Sequence, residues 1–199
     1  MIVTSFYSPE YAGEVEAFEE AAHSFGMMHN IVPIESKGSW RLNCGHKPKF
    51  LIDQLRLHQQ PVLWVDIDGR FRREWNLELE ADYDFAIWFI PYAKMRPMDV
   101  PGGSGTGNEG LASGTMWFNY TPMALRFLEI WAQEEHGQGA FEQQVLGEVW
   151  HQARPKGLRT YRLPQAYCKV FDVQWFKRVH NEVCIEHMQA SRRLRKKVK

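Results

Sequence analysis

Apolar residues recur along this chain with two spacings, and the spacing separates helices from strands. Ile2-Val3-Thr4-Ser5-Phe6 is short and mostly apolar and reads as a first strand. Val15, Phe18, Ala22 and Phe25 then fall on one face at the helical period, and Gly26 is a fitting stop. Residues 30–34 read as a second strand and 47–58 as a helix. Val62 to Ile67 and Phe85 to Ile90 are continuous apolar runs, the signature of strands covered on both faces. Met116-Trp117-Phe118 reads as a short apolar strand. Thr121-Pro122 opens a helix as N-cap and first-turn proline, with Ala124, Phe127, Leu128 and Trp131 on one face. A helix over 141–150 and a strand over 158–163 follow. Alternation of strands and helices predicts an α/β sheet, largely parallel, with no internal repeat and no domain boundary.

One run carries chemistry. Val62-Leu63-Trp64-Val65-Asp66-Ile67-Asp68 drives a buried strand into two acids spaced i, i+2. In a strand that spacing puts both carboxylates on one face. Two carboxylates at a strand exit can share a hard divalent cation such as Mg²⁺ or Mn²⁺. A polar turn is the competing reading, because Gly69 follows and Asp and Gly favour turns.

Composition narrows the class. A chain of 199 residues with 44% hydrophobic content and 8 Trp, 12 Phe and 7 Tyr suits one folded domain and excludes a disordered one. No run of about eighteen apolar residues exists, so no membrane span is expected. The start lacks a basic, apolar leader pattern. Cys44, Cys168 and Cys184 are scattered, which suits free thiols in a reducing cytoplasm, and no Cys-x-x-Cys pair suggests structural zinc. Net charge is zero but uneven. Residues 191–199 hold six basic residues and no acid, which leaves −6 on the remainder. Such an end is either a solvated tail or a contact for phosphate on a nucleotide or nucleic acid. Residues 102–110 are glycine-rich without the P-loop ending or the dinucleotide fingerprint, and read as a surface loop or a lid.

Taken in order, these pieces resemble nucleotide-diphospho-sugar transferases of the GT-A fold. Thr4-Ser5-Phe6-Tyr7 is similar to that family's first strand and nucleotide-contacting turn. Gly38-Ser39-Trp40 with Lys47-Pro48-Lys49-Phe50-Leu51 resembles its W…KP.F stretch, and Asp66-Ile67-Asp68 its DxD motif. Ala112-Ser113-Gly114-Thr115-Met116-Trp117-Phe118-Asn119 resembles its SG…FN segment on the acceptor side. Glu142-Gln143 stands where many members carry Asp-Gln, a conservative departure. Leu163-Pro164-Gln165-Ala166-Tyr167 resembles LP..Y, and Ile185-Glu186-His187 the late strand whose histidine completes a metal site. The resemblance implies a single GT-A (Rossmann-like) domain over 1–190, with a mixed, mostly parallel sheet flanked by helices, and a basic tail over 191–199.

The same resemblance implies a cytoplasmic glycosyltransferase that uses Mn²⁺ or Mg²⁺ and a UDP- or GDP-sugar. Asp66, Asp68 and His187 would hold the metal, which would stabilise charge on the departing diphosphate. Thr4, Tyr7, Lys49, Asp66, Arg192 and Arg193 would contact the nucleotide sugar, Lys47 being the alternative to Lys49 and Tyr11 to Tyr7. Ser113 and Gly114 would face the acceptor, where glycine lets backbone approach a ligand closely. Glu142 with Gln143 would be catalytic, Glu142 as acceptor base or as stabiliser of positive sugar character; a first-turn glutamate serving the helix dipole is the plainer alternative. Asp82, Asp84 and Asp99 are further acids near strand ends. The acceptor is open between a saccharide and a modified DNA base. Compact transferases of this kind occur in phages, and the basic tail suits nucleic acid. A nucleotide-sugar-binding protein without transfer activity and a nucleotidyltransferase are the competing functions; Phe6-Tyr7-Ser8-Pro9-Glu10 does not fit the phosphate motif of the latter.

Overall fold

The computed structural model describes residues 1–91, 109–134, 141–171 and 182–196. Its elements are β1 (Ile2–Tyr7), a 3-10 turn (Pro9–Glu14), α1 (Val15–His23), β2 (His29–Pro33), α2 (Trp40–Cys44), α3 (Lys47–His58), β3 (Val62–Val65), β4 (Gly69–Phe71) and β5 (Phe85–Pro91). Then come β6 (Glu109–Phe118), α4 (Pro122–Gln133), α5 (Glu142–Gln152), β7 (Thr160–Arg162), a second 3-10 turn (Gln165–Tyr167), β8 (Lys169–Val170), β9 (Ile185–His187) and α6 (Ala190–Lys196).

Six strands form the main sheet in the order β2-β1-β3-β6-β5-β7. β1 pairs in parallel with β2 and β3, and β5 with β7; β6 runs antiparallel to both β3 and β5. A mixed α/β sheet was expected from the alternation, and one strand against five is its form. The expected short strand at 116–118 is the end of a ten-residue β6. A second, three-stranded sheet, β4-β9-β8, sits beside the first. Among the described residues no helix is long and apolar enough to cross a membrane. Most of the glycine-rich segment 102–110 lies outside the described residues, as do Asp99 and residues 197–199; Glu109 and Gly110 open β6.

The continuous apolar runs are explained by a core on each face. Val62 and Trp64 of β3, Phe85 and Ile87 of β5, and Met116 and Phe118 of β6 pack with Leu51 and Leu55 of α3, Phe127 and Trp131 of α4 and Leu146 of α5. Leu63, Val65, Ala86 and Trp117 face the other way, toward Phe18 and Ala22 of α1 and Ile185 of β9. Alternation by two along the central strands therefore feeds two cores, while the edge strands β2 and β7 stay partly exposed. Local rules set the helix ends. Thr121 caps α4 by accepting from Ala124 N at 3.2 Å, with Pro122 as its first residue. Gly26, at φ +63°, turns the chain out of α1.

Asp84 closes the far end of the sheet. Its carboxylate accepts from Arg159 N (3.0 Å), Arg159 Nε (3.2 Å) and Thr121 Oγ1 (3.0 Å), and pairs with Arg159 Nη2 at 3.0 Å. Burial pushes its pKa up, but the Arg159 guanidinium and amide more than offset that and hold it below its ordinary value. Asp84 thus joins β5, the approach to β7 and the cap of α4, a structural task.

Candidate metal and donor site

β3 ends at Val65, and the two acids lie beyond it. Asp66 N still reaches β6, donating to Gly114 O at 2.9 Å. The chain then turns back: Gly69 N donates to Asp66 O at 2.6 Å, and β4 begins. So it is a tight turn, and not one face of an extended strand, that carries Asp66 and Asp68. Sequence reasoning offered turn and metal site as rivals; the structure makes the turn the carrier of the acids. A Cβ on Gly69 would overlap the Val65 side chain and lie 3.0 Å from Asp66 O, so the turn needs glycine there.

Asp66, Asp68 and His187 each offer a ligand atom within 4.8 Å of the others, the one such group among the described residues. His187 arrives from the second sheet, where β9 pairs with β4 and sets His187 opposite Gly69. Each acid has one oxygen tied down. Asp66 Oδ1 accepts from Trp64 Nε1 (2.9 Å) and Lys47 Nζ (3.0 Å). Asp68 Oδ2 accepts from Ala190 N at 2.8 Å, the first residue of α6. The other oxygen of Asp68 lies 3.7 Å from His187 Nδ1. Asp68 and His187 are buried, whereas 40% of the Asp66 side chain is exposed. The cluster is therefore open on the Asp66 side. Burial should depress the His187 pKa, yet the Cys168 sulfur and the Asp68 carboxylate beside it raise it to about 10. A divalent cation bound through that ring would displace the proton, because a ligating imidazole is neutral. Two carboxylates and one imidazole suit Mn²⁺ or Mg²⁺ better than a thiol-seeking ion.

A second cluster adjoins the first. Lys47, at the start of α3, is 3% exposed. Its ammonium pairs with Asp66 Oδ1 at 3.0 Å and Glu142 Oε1 at 3.1 Å, donates to Ser113 O at 3.2 Å, and lies 4.9 Å from the Trp64 ring centre. Burial alone would lower its pKa, but the two carboxylates win and raise it above the ordinary value. Glu142 opens α5 and is 2% exposed. Burial drives its pKa up, and Lys47 and Ser113 pull against that without cancelling it. Ser113 Oγ donates to Glu142 Oε2 at 3.2 Å, and Ser113 N donates to Gln143 Oε1 at 3.3 Å. A ring stack of Phe141 on Trp40, centres 5.1 Å apart, holds the start of α5 against α2.

Both clusters meet on three residues of β6. Pairing with β5 jumps from Ile87↔Met116 to Trp88↔Ala112, so Ser113, Gly114 and Thr115 have no partner on that strand. Bulges of this kind re-aim side chains beside sites. Ser113 turns toward Glu142, Gln143 and Lys47. Gly114 lies flat under the His187 ring: a Cβ there would sit 3.0 Å from Cε1, 3.2 Å from Nε2 and 3.3 Å from Nδ1. Thr115 Oγ1 is 2.9 Å from His187 Nε2.

The remaining candidates are dispersed. Thr4 is fully buried, and its hydroxyl donates to Asn30 O (3.1 Å) and Gln54 Oε1 (3.3 Å), inside the fold. Tyr7 ends β1 half-buried. Lys49 is exposed on α3, in contrast to Lys47 two residues earlier. Arg192 and Arg193 are exposed on α6, within the segment expected as a tail. Arg193 Nη2 pairs with Glu14 Oε1 at 2.6 Å, and Arg70 holds the other oxygen of Glu14 at 2.7 Å. Sequence reasoning singled out neither Thr115 nor the bridging role of Lys47; Pro48 beside Lys47 and the placement of Thr115 next to Gly114 were the available signals.

With this geometry in view, the chain can be compared with solved structures, among which a glycosyltransferase matches in fold. It is described as the crystal structure of a glycosyltransferase involved in the glycosylation of the major capsid of PBCV-1, and it aligns at a TM-score of 0.64 over 98% of each chain with 12% identity. This chain has that glycosyltransferase's fold. No family model and no curated protein matches the sequence. The agreement is thus one of architecture, single-domain mixed α/β.

Proposed function

We propose that this chain is a metal-dependent glycosyltransferase that moves a sugar from a nucleoside-diphosphate sugar to an acceptor hydroxyl. The observation that carries this reading is the convergence of Asp66, Asp68 and His187 within 4.8 Å, open on the Asp66 side and adjoining the buried Lys47–Glu142 pair, in a glycosyltransferase fold. Mn²⁺ or Mg²⁺ held there would act as a Lewis acid on the diphosphate leaving group. Residues 1–190 are the catalytic unit and 191–199 a basic appendage.

The chain's own residues then divide the work. Lys47 fixes Asp66 through one oxygen and leaves the other for the cation. Tyr7, Lys49, Arg192 and Arg193 would contact the donor, where arginine suits phosphate as a planar, permanent hydrogen-bond donor. Thr4 would contribute through the β1 backbone, because its hydroxyl is spent within the fold. On the acceptor side Ser113 would serve through its hydroxyl, with Gly114 next to it packed against His187. Ser113 Oγ takes the acceptor proton and passes its own to Glu142 Oε2, a group whose raised pKa suits a base. Gln143, bonded to the same serine, orients the relay. A saccharide hydroxyl is the acceptor; the exposed arginines of α6 are the observation on the side of a modified DNA base, and pairing of Arg193 with Glu14 weakens it.

Incubation of the chain with Mn²⁺ and UDP- or GDP-sugars tests the reading. Slow release of nucleoside diphosphate is expected, and it should vanish in Asp68→Asn. Release of pyrophosphate would instead indicate nucleotidyl transfer, and hydrolysis unchanged in Asp68→Asn would remove the metal role.

A further inference from the structure

The geometry points to Thr115 as a positioning residue for the metal site: its hydroxyl holds the Nε2 edge of His187, so that Nδ1 is the atom presented to the cation. This rests on the metal reading above. Asp66 has Oδ1 tied by Trp64 and Lys47, and Asp68 has Oδ2 tied by Ala190 N. Each carboxylate is thus fixed through one oxygen and offers the other. His187 follows the same rule if one ring nitrogen is fixed and the other offered. Thr115 Oγ1 lies 2.9 Å from Nε2, and both residues are buried, at 0% and 2% exposure.

The opposite edge of the ring faces the acids. Nδ1 stands 3.7 Å from Asp68 Oδ1, too far for a hydrogen bond. It is the right separation for two donors to one ion, since ligands roughly 2.1–2.2 Å from a shared metal lie about 3–3.8 Å apart at open coordination angles. The ring cannot rotate away. Gly114 lies against its face closely enough that a Cβ would come within 3.0 Å, and a Cβ on Gly69 would come within 3.6 Å of Cε1. The Cys168 thiol also borders the imidazole, but it does not belong to the cluster of ligand atoms. A hydrogen bond on the remote nitrogen of a ligating histidine fixes its tautomer and orientation. Here a threonine on a β-bulge fills that place.

The test uses the full chain, Mn²⁺ alone, and pulsed electron paramagnetic resonance with histidine labelled by ¹⁵N at Nδ1. Wild-type protein should bind Mn²⁺ with the directly bonded coupling in the ¹⁵N pattern. Thr115→Val, nearly isosteric, should keep its melting temperature close to wild type while Mn²⁺ affinity falls by roughly 10- to 100-fold, as for other lost outer-sphere partners. Thr115→Ser should restore the affinity, which a packing role for the methyl group would not allow. Unchanged Mn²⁺ affinity in Thr115→Val, or a bonded coupling that ignores the Nδ1 label, overturns the inference while leaving the metal site intact. A wild-type chain that binds no Mn²⁺ overturns both.

Discussion

Gly114→Ala separates two roles for one glycine. If Gly114 exists to let an acceptor approach the backbone, a methyl group there blocks transfer and leaves the metal untouched. The structure argues for the other role. The added carbon would sit 3.0, 3.2 and 3.3 Å from three atoms of the His187 ring. An ordinary contact needs several tenths of an ångström more, and His187, 2% exposed and bonded to Thr115, has little room to retreat. Overpacking of this kind costs about 1–3 kcal/mol. For a chain of this size that is a fall in Tm of roughly 3–10 °C. Metal–ligand distances tolerate only about ±0.2 Å, so a ring displaced by more than that should weaken Mn²⁺ binding by about tenfold or more. Differential scanning fluorimetry and calorimetric titration with Mn²⁺ measure the two effects on one sample. Wild-type Mn²⁺ affinity in Gly114→Ala would show that Gly114 does not set the position of His187, whatever happens to transfer.

Two further substitutions probe the buried charges. Lys47→Met leaves Asp66 and Glu142 facing each other without their shared cation and should destabilise the fold by about 3–5 kcal/mol. Adding Glu142→Gln should recover part of that loss, so a chemical-denaturation double-mutant cycle should show coupling above about 1 kcal/mol; strict additivity would dissolve the proposed pair. Asp84→Asn should cost about 1–3 kcal/mol at pH 7 by stripping the charge from Arg159 and the cap of α4. Because the folded Asp84 pKa is lowered, its contribution is full above the unfolded carboxylate range near pH 4 and is lost as pH falls through the folded value. The gap in Tm between Asp84→Asn and wild type should therefore shrink below about pH 4; a gap constant from pH 7 to pH 3 would exclude the ion pair as its source.

Much of the layout was legible in one dimension because it rests on local chemistry. The apolar run at 62–65 had to be a strand with both faces covered, and Leu63 and Val65 on one core and Val62 and Trp64 on the other bear that out, whereas residues 66–67, expected to extend it, turn away. The helix starting at Pro122 and the left-handed stop at Gly26 follow from backbone preferences that hold in any context. The direction of β6 was not legible, since a strand's residues do not say which neighbour it pairs with or which way it runs. Nor was the bulge at Ser113–Thr115, which exists only as a mismatch between two ladders.

For the site the division is sharper. That two acids leave a buried strand beside a glycine is legible in one dimension, because hydrophobic pattern and turn chemistry are properties of neighbours along the chain. The family resemblance already pointed to His187; the fold brings it, 119 positions beyond Asp68, within 4.8 Å of both acids, and packing alone settled that Lys47 and not Lys49 is the buried cation and that Gly114 makes room for a ring. Those outcomes depend on which faces pack together, and electrostatics and steric exclusion act through space at a few ångströms, whatever the distance along the chain.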